Sequence, residues 1–180
     1  MKTLSNFLDR IASWKSLLIF LALYMAFPGY FLKNAETKIV ALAGKPVGII
    51  DLTFGFNPEK TLMMVAEYGD DARAYYARTE MTTDTLYPLV YAFLFGIILA
   101  LLYRGGPRSW VNTLPFVCLL FDYLENITII ILLKTFPKQS PAIATLCELF
   151  KLLKWLVFAA IILLILLGLI SKLTKRRKHS

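Results

Sequence analysis

Four stretches of this chain, residues 16–31, 85–103, 111–133 and 143–170, are apolar over close to the roughly 20 residues that carry a helix across a bilayer. Backbone in hydrocarbon must satisfy its own N–H and C=O groups, so each stretch is expected to be helical. With 180 residues, 58% of them hydrophobic, little chain is left for anything else. The expected fold is all-α: one integral membrane domain, a four-transmembrane-helix bundle with an extracytoplasmic loop helix.

Lysine and arginine set the expected orientation. Lys2, Arg10 and Lys15 precede the first span, Arg104 and Arg108 lie in the tight "YRGGPRSW" turn, and Lys172, Lys175, Arg176, Arg177 and Lys178 follow the fourth. In a four-span topology all of these fall on one side, with Asp9 the acidic residue among them, which puts both termini in the cytoplasm. The net charge of +8 is then mostly a topology signal and a handle for anionic lipid headgroups at the basic tail, residues 171–180. The basic residues are not interleaved with stacking aromatics on a soluble face, which argues against nucleic acid. A bacterial inner membrane and a eukaryotic endomembrane fit equally.

Residues 1–15 form a basic lead-in whose Leu4, Phe7, Leu8 and Ile11 share one helical face, suited to lying flat among headgroups. The first apolar run has no small-residue cleavage site before Pro28-Gly29 and is expected to stay as a span. Residues 32–84 form the extracytoplasmic loop. In its first half, "KIVALAGKPVGIIDLTFGF" carries two short β-branched runs around a Gly-Lys-Pro turn, as a small hairpin or an extended loop would. In its second half, Asn57 and Pro58 open a helix through residue 81, with a kink at Gly69. Leu62, Met63, Ala66 and Tyr76 are expected on its bundle side, and Asp70, Asp71 and Arg73 toward water. Asp84 is a plausible cap for the second span, with Pro88 in its first turn.

The two cysteines, Cys118 and Cys147, differ in expected depth by roughly 18 Å at about 1.5 Å per helical residue, too far for a disulfide. The lone histidine, His179, lies in the tail, so no metal site is expected, and no cofactor is implied.

Against this background "FDYLENI", residues 121–127, stands out. Asp122, Glu125 and Asn126 lie three and four apart, on one helical face that continues through Cys118 and Ile129. A charge facing lipid costs several kcal/mol, so this face should look inward. Counted from the outer boundary at about 1.5 Å per residue, Glu125 and Lys151 lie roughly 13 and 12 Å deep, and Asp122 and Lys154 roughly 18 and 16 Å. Those depths suggest the pairs Glu125–Lys151 and Asp122–Lys154. Asp84, Tyr87 and Tyr91 form a stripe on the second span, and Arg73 and Arg78 above are placed to lid a cavity.

Two readings compete. In one, the buried polar groups are clamps that fix helix register in a structural or assembly protein, with a homo-oligomer among its forms, because lipid supplies no hydrophobic drive for helix association. In the other they line a pocket that binds or handles a lipid or other hydrophobic small molecule. Arg73, Tyr76, Asp84, Tyr87, Tyr91, Asn126, Lys151 and Lys154 are then the candidate ligand-binding residues, and Glu125, followed by Asp122, the candidates for acid–base chemistry. No nucleophile or phosphate loop accompanies them, so whether the chain is an enzyme stays open. A proton-coupled transporter working as an oligomer is a third alternative.

The string "YGDDARAYYARTEMTTDTLYP" followed by "FDYLENI" resembles a pattern in small four-helix integral membrane proteins with no assigned function. In outline it is Tyr-Gly-x-x-Ala-Arg-x-x-Tyr, then Asp-x-x-Tyr-Pro, then Asp-x-x-Glu-Asn, over residues 68–126, about a third of the chain. The resemblance implies that Arg73, Tyr76, Asp84, Tyr87, Pro88, Asp122, Glu125 and Asn126 belong together. It implies no activity.

Overall fold

The structure, a computed structural model, describes residues 2–107 and 109–177; Arg108, Lys178 and His179 lie outside the described residues. It is all-helical among those residues, and four helical stretches are long and apolar enough to cross a membrane: Trp14–Ala43, Asp70–Tyr103, Ser109–Thr135 and Pro141–Thr174.

The first stretch begins with a short amphipathic helix, α1 (Lys2–Ile11), and a sharp restart at Ser13. Ser13 accepts from the Ser16 amide at 3.2 Å while Ser16 Oγ accepts from the Ser13 amide at 3.0 Å, a reciprocal cap that satisfies two orphan donors. From there α2 (Trp14–Ala26), a π-helical turn at Phe27–Leu32 and α3 (Lys33–Ala43) run on without a break. Pro28 does not end the helix near residue 31; the backbone widens there to i→i+5 bonding instead. Helix ends at Gly44, whose φ of 67° gives the left-handed stop.

Of the two forms expected in residues 38–56, the hairpin is absent, and the extended loop is confined to the part after Gly44. Ile39 is instead buried on α3, which packs on α5. Extending an existing helix adds a bond for each residue fixed, whereas strand preference needs a partner strand to be expressed. After Gly44 the chain is irregular except for one 3-10 turn, Ile50–Leu52.

The loop helix is two helices. Asn57 caps α4 (Pro58–Glu67) by accepting from the Lys60 amide at 2.9 Å, with Pro58 in the first turn as expected. At Gly69 (φ 75°) the chain breaks rather than kinks, and α5 (Asp70–Met81) starts afresh. The buried side of α4 is Thr61, Met64, Val65 and Tyr68; Met63 and Ala66 are exposed, one position out of phase with expectation. Tyr76 is buried and Asp70 and Asp71 exposed, as anticipated, but Arg73 is buried.

Helix α5 leads almost directly into α6 (Thr83–Tyr103), so Asp84 is no terminal cap and Pro88 lies inside the helix. After a 3-10 turn at Ser109–Thr113 comes α7 (Leu114–Thr135), and after a tight turn α8 (Pro141–Arg177), which lies along α7. One core cluster, with Ile39, Ile50, Val65, Tyr68, Tyr76, Ile129 and Cys147, fills the loop end of the bundle. Another, around Tyr91, Leu99, Cys118 and Ile161, continues toward the basic end, where α1, Arg104 and Lys172 lie. Both cysteines are free and buried.

Helix α1 does not present the whole expected face to headgroups. Ser5 and Leu8 are buried against α6 and the Ser109–Thr113 turn, while Phe7 is exposed. The close approach is possible because position 96 is glycine: a Cβ there would meet the Asn112 carbonyl at 3.1 Å and Leu8 at 3.4 Å.

Candidate functional site

Asp122, Glu125 and Asn126 all point inward from α7, and Glu125 is wholly buried. Lys154 of α8 lies 2.5 Å from Glu125 Oε2, off the line of a regular hydrogen bond, and 3.7 Å from Asp122 Oδ1. Tyr91 of α6 donates to Asp122 Oδ2 at 2.7 Å. Tyr91, Asp122, Lys154 and Glu125 therefore form one polar chain across three helices. Asp122–Lys154 is made as expected; Glu125–Lys151 is not.

Lys151 instead contacts Glu148 at 2.5 Å and donates to Thr53 Oγ1 at 2.6 Å and to the Ile50 carbonyl at 3.4 Å. The reason lies in side-chain direction. Every Cα–Cβ bond tilts toward its helix's N-terminus. On α8 that is the loop end and on the antiparallel α7 the basic end, so lysines and carboxylates shift in opposite senses. Lys154 thus reaches Glu125, and Lys151 is carried past it into the loop. Glu148 accepts from the Asn57 amide at 2.9 Å and from Thr61 Oγ1 at 2.7 Å, tying the start of α4 to α8.

Asn126 has a different task. Its Nδ2 donates to the Asp84 backbone carbonyl at 3.1 Å and to Asp84 Oδ2 at 3.2 Å. Pro88 has no N–H, so the carbonyl four residues back, that of Asp84, has no intrahelical partner. Tyr123 Oη adds a bond to the Thr85 carbonyl at 2.9 Å. Asn126 thus fills the proline gap in α6, and Tyr123 adds a second α7 bond one residue on.

Beside this chain lies a cavity of about 580 Å³, within the usual range for small-molecule sites. Tyr24, Pro28 and Leu32 of the first helical stretch form one side, and Trp155 and Phe158 of α8 the other. Glu80, Asp84, Tyr87, Tyr91 and Asp122 form its polar back wall, with Lys154. Ile49, Asp51 and Leu52 cap it at the loop end. That cap is pinned by Tyr76, whose hydroxyl donates to Asp51 Oδ1 at 2.8 Å and accepts from the Ile50 amide at 3.0 Å, and by Lys151. Below it, Tyr68 donates to the Gly48 carbonyl at 2.7 Å, and burial pushes its phenol well above the usual tyrosine range.

The chain matches no protein-family model, no curated protein and no solved structure. Its site must be read from its own geometry.

Of the residues singled out in the sequence, Tyr76, Asp84, Tyr87, Tyr91, Asp122 and Lys154 line the cavity. Glu125 is set behind Lys154, Asn126 braces Asp84, and Lys151 holds the cap; these three shape the walls without lining them. Arg73 does not lid the cavity. Its guanidinium donates to the Val65 carbonyl at 3.0 Å, pairs with Asp70 and lies 3.9 Å over the Phe136 ring. Arg78 is exposed and does not line the cavity either. Among the described residues no cluster of three or more His, Cys, Asp or Glu is arranged to hold a metal ion.

Three lining carboxylates escaped the sequence reading: Glu36 on the rim, Asp51 in the cap and Glu80 on α5. Glu80 is 2% exposed, and its Oε2 has no hydrogen-bond partner. The signal for it was present. Glu80 stands four residues before Asp84, on the same face once α5 and α6 are nearly continuous. Placing a helix start at Asp84 hid that relation.

Proposed function

We propose that this chain is an integral membrane protein with both termini in the cytoplasm, and that it binds or handles a lipid or other hydrophobic small molecule in the cavity between α8 and the 14–43 helix. The observation that carries the reading is the cavity's shape and lining. It is capped at the loop end and walled largely by apolar and aromatic side chains, with its polar groups gathered at the back, at Asp51 in the cap and at Lys33 and Glu36 on the rim. Small-molecule sites share that plan of mostly apolar walls with a few placed polar groups. The orientation rests on the gathering of Lys2, Arg10, Lys15, Arg104 and Lys172 at one end.

Native mass spectrometry of the chain, extracted gently from its own membrane beside a Glu125→Gln variant, tests this. A bound lipid or small molecule at one per chain, lost or reduced in the variant through the misplaced Lys154, is the expected result. A bare chain in both samples would end the proposal.

A second reading is favoured by the Tyr91–Asp122–Lys154–Glu125 chain itself, which links α6, α7 and α8 as a register clamp would. On that reading Glu125→Gln lowers thermal stability and no ligand is found in either sample.

A further inference from the structure

The cavity wall is unbalanced in charge. Its lining carries five carboxylates, Glu36, Asp51, Glu80, Asp84 and Asp122, and two ammonium groups, Lys33 and Lys154. Lys33 and Glu36 are both exposed on the rim, three residues apart on α3, and offset one another. Lys154 is already held between Asp122 and Glu125, the latter lying behind the wall. Asp51 accepts from Tyr76, and Asp84 from Asn126. Glu80 remains: it is buried, lines the cavity, and has an oxygen with no partner. A carboxyl group kept from water is held by a proton or by a cation.

Beside these carboxylates, the cavity suits a cation on an apolar body. Tyr24, Tyr87 and Tyr91 line it as a run of neighbouring rings, with centroids 5.7 Å apart for Tyr24–Tyr87 and 5.6 Å for Tyr87–Tyr91. Trp155 and Phe158 continue the aromatic lining on α8. Ring faces attract cations, and the same surfaces shelter an alkyl chain. Among the described residues, an anionic headgroup finds no free cation at the back wall. It would have to compete with Asp122 and Glu125 for Lys154.

We infer that the ligand is a cationic amphiphile, a protonated amine on an apolar body, with the ammonium seated between Glu80 and Asp84 and the apolar part leaving past Trp155 and Pro28. This rests on the cavity being a ligand site, as proposed above, and adds the sign of its headgroup.

The test is a panel of three probes that differ only in that headgroup: dodecylamine, dodecanol and dodecanoate. Each is titrated onto the purified full chain in mild detergent, and bound species are counted by native mass spectrometry. Dodecylamine should be retained at one per chain, with a preference of roughly tenfold or more over the other two, as one charged hydrogen bond supplies. Glu80→Gln should erase most of that preference, and Asp84→Asn should weaken it, whereas Glu67→Gln on the exposed side of α4 should leave it unchanged. Equal retention of amine and alcohol would mean that the wall is held by protons and would overturn the inference. So would a preference for dodecanoate, or an amine preference that both wall variants leave intact. In each of those cases the cavity still binds an amphiphile, and the broader reading stands. Retention of none of the three would sink both.

Discussion

At the scale of single residues, Lys154 is the side chain on which the interior depends. It reaches both Asp122 and Glu125 of α7 from α8, and all three are buried. Removing one partner of a buried ion pair leaves an uncompensated charge, so Lys154→Met should lower stability by about 3–5 kcal/mol; denaturant unfolding in detergent reads this. A double-mutant cycle between Lys154 and Glu125 should give a coupling of roughly 0.5–3 kcal/mol, while Lys151 and Glu125 should add within about 0.5 kcal/mol. An equal coupling for Lys151 would restore the pairing expected from depth alone. The sequence carried half of this. Spacing puts Asp122, Glu125 and Asn126 on one inward face, because helical period is a property of the chain. Partners across helices also depend on the direction in which each Cβ leans, and two antiparallel helices lean apart. Glu80 was lost for a related reason, its face being legible only once α5 and α6 are known to follow on from each other.

At the scale of elements, the bundle tolerates two helix breakers by different means. At Pro28 the helix widens into a π turn. At Pro88 the freed Asp84 carbonyl is taken by Asn126, so α6 depends on α7 for a backbone bond. Asn126→Ala should therefore cost about 1–3 kcal/mol, the usual penalty for orphaning a buried acceptor. In a Pro88→Ala background the same substitution should cost less, because residue 88 then donates to that carbonyl itself. Equal penalties in both backgrounds, measured by thermal unfolding, would show that Asn126 serves only the Asp84 side chain. The ends of elements were the least legible part of the fold. Proline and glycine mark places where a helix can stop, but whether it does depends on what lies beside it. Gly69 and Gly44 end helices, whereas Pro28, next to Phe27 packed on Tyr87, and Pro88, braced by Asn126, do not.

At the scale of the whole molecule, the two ends of the bundle differ in chemistry. Thr3 is exposed at the basic end and Gln139 at the loop end, while both native cysteines are buried. In intact cells a membrane-impermeant maleimide should label a Gln139→Cys variant, and label Thr3→Cys only after permeabilisation, with the parent chain unlabelled. The reverse pattern would invert the topology. The cap, α4, α5 and α8 are joined by polar ties through Tyr76, Lys151 and Glu148. Cutting one, with Lys151→Met, should loosen residues 49–57 and speed amide exchange at Thr53 and Asn57, leaving α7 protected. The 14–43 helix is held differently. Arg104 grips the Ala12 carbonyl just before it at 2.9 Å, its middle rests on rings, Phe20 on Phe93 and Tyr24 and Phe27 on Tyr87, and its far end packs on α5 through the buried Ile39. It is hung like a sash, pinned at the sill and seated at the head, with the wider turn of Phe27–Leu32 and an aromatic middle between. Ring contacts along that middle trade against acyl-chain contacts of much the same strength, so the thickness and fluidity of the surrounding bilayer act on the middle of this helix rather than on its ends.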